Sequence, residues 1–218
     1  MERDPEPRVA PSLAPEHEWS AASRLLHPAL RPAGTAGVDG RNPHVPSGAG
    51  LPGKPLIAAG PAGLATAYVI PGQGFGVLVG ADHLLAWGVG PDEVHAAAMS
   101  NLAIWSGEAP WVDELNGRRR IVWSDSGEGM DAARILLPEV RALLASELGA
   151  AGRVLVGLPE RDLLIAAGLA GGDDEFADLF AAYVDDRSRS ADDPIDARLF
   201  ELVDGELVVF GGPPGAGL

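Results

Sequence analysis

GMDAARILLPEVRALLASELGAAGRVLVGLPERDLLIAAG, residues 129–168, holds a helical pattern, a strand, a tight turn and a return strand in one continuous run. Met130, Ala133, Leu137, Val140, Leu144 and Leu148 recur at steps of three and four, the spacing of one buried helical face. Pro138 interrupts that run. An interior proline removes a backbone hydrogen bond and clashes with the preceding turn, so either the helix kinks there or a second helix begins at that residue. Residues 153–158 and 163–167 are β-rich and flank Pro159-Glu160-Arg161-Asp162. That linker is too short for a crossover, so the two strands pair antiparallel.

Toward the C-terminus, Asp173 or Asp174 caps a further helix in which Phe176, Leu179, Phe180 and Tyr183 are expected to face inward, and residues 185–194 read as a charged loop. ARLFELVDGELVVF, residues 197–210, is two alternating runs around Asp204-Gly205, a preferred two-residue hairpin turn. Toward the N-terminus, residues 118–124 alternate and carry β-branched and aromatic side chains, which predicts a strand. Pro91-Asp92-Glu93 opens a helix with Val94, Ala98, Leu102 and Trp105 on one stripe. Residues 62–70 and 74–79 form a hairpin around Pro71-Gly72-Gln73. The order predicts an α+β domain, a mostly antiparallel sheet built from hairpins and covered by three or four helices.

Composition sets the boundaries. Residues 1–55 hold ten of the nineteen prolines and show no sustained apolar period, so they read as a largely flexible segment with one short helix within residues 19–30. The single α+β domain is expected over residues 56–212, with a flexible tail at 213–218. The net charge is −15, and all of it falls after residue 55; residues 173–206 carry twelve acids and three arginines. An acidic body repels phosphate backbones, so nucleic acid is not an expected partner, whereas a basic protein is compatible. There is no cysteine, which excludes disulfides, thiolate metal sites and thiol nucleophiles. No run approaches the ~18 apolar residues of a membrane span, and the charged, Pro-rich start is unlike a secretory signal, so a cytoplasmic protein is expected.

Over residues 68–210 the chain resembles the uncharacterised bacterial YtpQ-like family. The carrying segments are YVI at 68–70, GVGPDEVHAAAMSNL at 88–102, DAARILLPEV at 131–140, VLVGLPERDLL at 154–164 and the closing hairpin. Ala133 and Glu160 stand where the resemblance implies serine. It implies a bacterial cytoplasmic protein and no defined reaction.

The candidate chemistry is sparse. Gly72-Gln73-Gly74-Phe75-Gly76 is followed by strand-like residues rather than a helix start, which favours a hairpin turn over a dinucleotide fingerprint. No Walker-type lysine motif occurs; the single lysine is Lys54. His83 and His95 lack the spacing of paired metal ligands, and no G-x-S-x-G elbow supports a catalytic serine. Asp174 and Asp178 lie one helical turn apart, an arrangement explained by helix capping and solvation as well as by a cation. No cofactor, metal or catalytic residue is therefore assigned. Arg134, Arg161 and Asp162 remain as binding candidates: each arginine either pairs internally or presents a guanidinium fork to a carboxylate or phosphate. The leading expectation is a non-enzymatic protein offering its acidic C-terminal third to a basic partner, such as a toxin to be neutralised. The alternative is a small-ligand or hydrolytic enzyme with a polar site around Arg134, Arg161 and Asp162.

Overall fold

The computed structural model describes residues 18–35, 54–71 and 76–211. The expected C-terminal tail, most of the N-terminal segment and, of the turn predicted at Pro71-Gly72-Gln73, both residues after Pro71 lie outside the described residues. The fold is α+β with antiparallel sheets. Its strands divide between two of them. In the first, β1 (His27–Arg31) and β2 (Ile57–Ala59) flank β3 (Ala65–Pro71), and β4 (Gly76–Leu78) pairs with the later part of β3. The second has six strands, β5 (Val112–Asn116), β6 (Arg119–Ser124), β7 (Gly152–Glu160), β8 (Leu163–Ala170), β9 (Leu199–Val203) and β10 (Glu206–Val209). Their order is β10-β9-β7-β8-β6-β5, with every neighbouring pair antiparallel.

The Asp204-Gly205 hairpin joins β9 to β10 with both turn residues at positive φ, 51° and 81°. Aspartate tolerates that region better than most residues and glycine enters it freely, so this pair sets the register. β7 and β8 pair as expected, but β7 runs on through Pro159, beside an irregularity between Gly157 and Glu160. A proline inside a strand belongs at such an interruption, because it has no N–H to give the ladder.

Helices lie on both sides of the long sheet. Pro138 occupies the first turn of α4 (Pro138–Leu148), where its missing N–H leaves no bond unmade. The residues before it, Ala132–Leu136, form a separate 3-10 turn. The choice between a kink and a new helix therefore resolves to a new helix. This turn and α4 cover one face, over Val154, Val156, Leu164, Ala166 and Phe200. The other face carries α5 (Asp174–Ser190), packed through Phe176, Ala177, Phe180 and Val184 on Leu155, Leu163, Ile165 and Leu199. Each of the two buried phenylalanines contributes roughly 2–3 kcal/mol. α5 extends to Ser190, so most of the expected charged loop at 185–194 is its last turns.

Two further expectations change. The helix predicted within residues 19–30 is one turn, α1 (Trp19–Ala22), followed by strand β1, which pairs with β3 residue for residue. Part of the segment read as a tail thus belongs to the first sheet. Its Ala22 and Leu26 are buried together with Tyr68 and Ile70 of β3 and Leu84 of α2 (Ala81–Trp87), while Leu30 joins the core that lies under α4. α3 (Pro91–Glu108) links the two sheets: Val94 and Ala98 join the core with Tyr68 and Ile70, and Leu102 the core with Val154, Val156 and Phe200.

Candidate functional site

Arg134 is buried, with about 1 % of its surface exposed, and its donors are spent inside the protein. Nε donates to Ser106 Oγ at 3.0 Å, Nη2 to the Ser106 carbonyl at 2.9 Å, and Nη1 to Ser124 Oγ at 2.6 Å. Longer bonds reach the carbonyls of Pro110 and Ala109. The indole of Trp111 closes over the guanidinium, 3.9 Å from ring centroid to Cζ. Ser124 passes the interaction on by donating to Oδ1 of the fully buried Asp131, whose other oxygen accepts from the amide and hydroxyl of Ser126. Arginine and aspartate are thus joined through one hydroxyl rather than by a direct salt bridge. Burial pulls the Arg134 pKa down to about 10, with the nearby Asp131 charge opposing the shift. The expected helix-border arginine is instead the centre of a tight turn whose residues are nearly all buried.

Arg161 and Asp162 form the two-residue turn between β7 and β8 and point elsewhere. Their contact is long, 3.4 Å from Nη2 to Oδ2, and Arg161 remains 46 % exposed. Arg161 also lies 3.8 Å from Asp193, which Arg31 of β1 holds more closely at 3.1 Å. Backbone bonds fix the turn: Arg161 N–H donates to the Asp193 carbonyl, and the Ala132 N–H donates to the Arg161 carbonyl. Nearby, burial lowers the pKa of His27; its bond to the Leu25 carbonyl opposes this and the Arg161 charge adds to it.

A concave surface not anticipated from the sequence lies on the opposite face of the sheet. A groove of about 480 Å³ runs between α5 and strands β5 and β6. Along β6, alternation sends Ile121 and Trp123 into it, while Val122 and Ser124 face the core beneath. Leu163 and Ile165 of β8 also line it, and Leu179, Phe180, Tyr183 and Arg187 line it from α5. Leu179 and Tyr183, expected to be buried, are 57 % and 44 % exposed because they face this groove rather than the core. None of Arg134, Arg161 and Asp162 lines it.

Charge on the groove is uneven. Arg119 is held by Asp173 through two parallel bonds of 2.9 and 2.7 Å and lies over the Phe176 ring. Asp173, at the position before α5, thereby has its carboxyl lowered below the usual range, chiefly by that arginine. Arg187 is paired with Glu160. Both rim arginines are neutralised, whereas the lining carboxylates Glu114 and Asp125 have no ion pair among the described residues. Among those residues no three His, Asp or Glu side chains come together as a metal site, and no helix is long and apolar enough to cross a membrane. The sequence signal for the groove was indirect: the apolar positions of α5 span more of its circumference than one packed face requires.

No family model, curated protein or solved structure matches the chain.

Proposed function

We propose that this is a non-enzymatic binding protein whose acidic face engages a basic protein partner, a role that fits neutralisation of a toxin or nuclease. The observation that carries the reading is the groove beside α5, apolar within and bordered by the unpaired carboxylates Glu114 and Asp125. Asp174, Asp178 and Asp186 of α5 are exposed and make no ion pair among the described residues, so the surrounding field has the same sign. Such a field attracts a cationic partner and raises its association rate. A bacterial cytoplasmic setting and membership of the YtpQ-like family belong to the same proposal. An enzyme built around Arg134, Arg161 and Asp162 has less support: the donors of Arg134 are consumed by Ser106, Ser124 and backbone carbonyls, and its side chain does not meet the other two.

The test is capture on the immobilised full chain from extracts of its source cells, followed by titration with each purified candidate at low and high salt. The expected partner is a basic protein whose affinity falls about tenfold or more as salt is raised. A specific partner that is acidic, or one whose binding ignores salt, would overturn the reading.

A further inference from the structure

α5 lies over β7, where Gly157 has no side chain and Val184 approaches so closely that a Cβ would meet it at 2.5 Å. One helix seated there leaves β5 exposed and β6 only partly covered on the same face, with Ile121 and Trp123 half-buried against the core under α5. Two adjacent strands span about 10 Å, which is also the distance between the axes of two packed helices. A further helix packed alongside α5 would therefore lie over β6, two strands on from β7, with β5 beside it.

The surface there suits such an occupant. In the β5–β6 register Val112 is opposite Trp123 and Glu114 opposite Ile121, so these four share the groove face. Ile121, Trp123, Leu179 and Tyr183 form an apolar floor and wall, and Val112, on the same face of β5, is 46 % exposed. Glu114 and Asp125 stand at the groove's border without an ion pair among the described residues. A second copy of this chain is a poor occupant, because it would bring the same unpaired carboxylates and a net charge of −15 to the contact. The chain's own remaining sequence is no better suited. Residues 1–17 have prolines at 5, 7, 11 and 15, and residues 36–53 at 43, 46 and 52, with no apolar helical stripe in either.

The geometry points to an amphipathic basic α-helix of a partner protein as the occupant of this groove, its apolar stripe on Trp123, Leu179 and Tyr183 and its lysines or arginines over Glu114 and Asp125. The inference rests on the proposed binding of a basic partner and adds the form of the recognised segment.

Three synthetic peptides of the length of α5 test it against the full chain by fluorescence anisotropy. One carries leucine and lysine at helical spacing, the second the same residues in strict alternation, and the third leucine and glutamate at helical spacing. The helical lysine peptide is expected to bind about tenfold more tightly than the alternating one, with the glutamate peptide not binding. Leu179→Glu is expected to weaken it about tenfold, and Glu114→Gln with Asp125→Asn several-fold, while Glu206→Gln on the distant edge strand leaves it unchanged. Circular dichroism of each variant checks that the fold is retained. Tighter binding of the alternating peptide, sensitive to Leu179→Glu, would overturn the helical mode and leave the basic-partner reading standing. Binding of the lysine peptides that ignores Leu179→Glu would remove the groove as the site. Failure of both lysine peptides to bind would count against the inference and the reading together.

Discussion

Arg134 and Asp131 lie three residues apart in one buried turn and are joined through the hydroxyl of Ser124, which accepts from the guanidinium and donates to the carboxylate. A single hydroxyl therefore mediates between two charges that have almost no access to water. Ser124→Ala leaves both short of a partner, and such an orphaned buried group costs about 1–3 kcal/mol, more where charge is involved. The expected loss is roughly 2–4 kcal/mol in urea denaturation, with Ser124→Thr less damaging. A change below ~0.5 kcal/mol would mean the turn relaxes enough to let the two charges meet directly.

Arg161 and Asp162 lead to the opposite expectation. Their contact is long and Arg161 is nearly half exposed, so solvent screens it. Arg161→Ala and Asp162→Ala are each expected to shift stability by less than about 1 kcal/mol, with coupling below ~0.5 kcal/mol in a double-mutant cycle. Strong coupling would show that the turn relies on the ion pair rather than on its backbone bonds to Asp193 and Ala132.

His27 makes stability depend on pH. Its folded pKa is depressed, chiefly by burial, so its contribution is present above the unfolded value of about 6.5 and is lost as pH falls through the folded one. Melting temperatures of the wild type and His27→Gln between pH 8 and pH 5 check this. The variant should lose less stability over that range; an identical decline would assign the whole effect to carboxylates.

Gly157 sets the closeness of α5 to the sheet. In Gly157→Ala the new methyl would meet Val184 at 2.5 Å and Ile165 at 3.0 Å, so helix or strand must shift. Overpacking of this kind costs about 1–3 kcal/mol. Val184→Ala on the same background should recover part of it by making room.

Beginning the chain at residue 56 would remove β1 and the buried side chains of Ala22, Leu26 and Leu30. Two leucines at about 1.5–3 kcal/mol each already approach the usual net stability of a domain, before the lost strand pairing is counted. The truncated chain is expected to lose its cooperative melt by circular dichroism. A melting temperature within a few degrees of the full chain would show β1 to be dispensable.

The elements legible in the sequence were those specified by neighbours. Asp204-Gly205 announces its hairpin locally, and α3 and the β7–β8 pair carry their own periodicity and turn residues. β1 was hidden because its strand state comes from pairing with β3 across the masking signal of Pro28, and β5 because an edge strand with all five residues exposed has no buried alternation to read. Arg134 looked like the border of a helix because a 3-10 turn buried on every side has no distinctive period. The groove draws on β5, β6, β8 and α5, brought together only by the sheet order; within α5 alone, Leu179 and Tyr183 could not be told from core.

Helix α3 belongs to the core of the first sheet through Val94 and Ala98 at one end and to the long sheet's core under α4 through Leu102 at the other. As a consequence the two sheets are a single heritable module. A recombination point placed anywhere between them would leave one half without its share of the helix, so shuffling can move the pair only together.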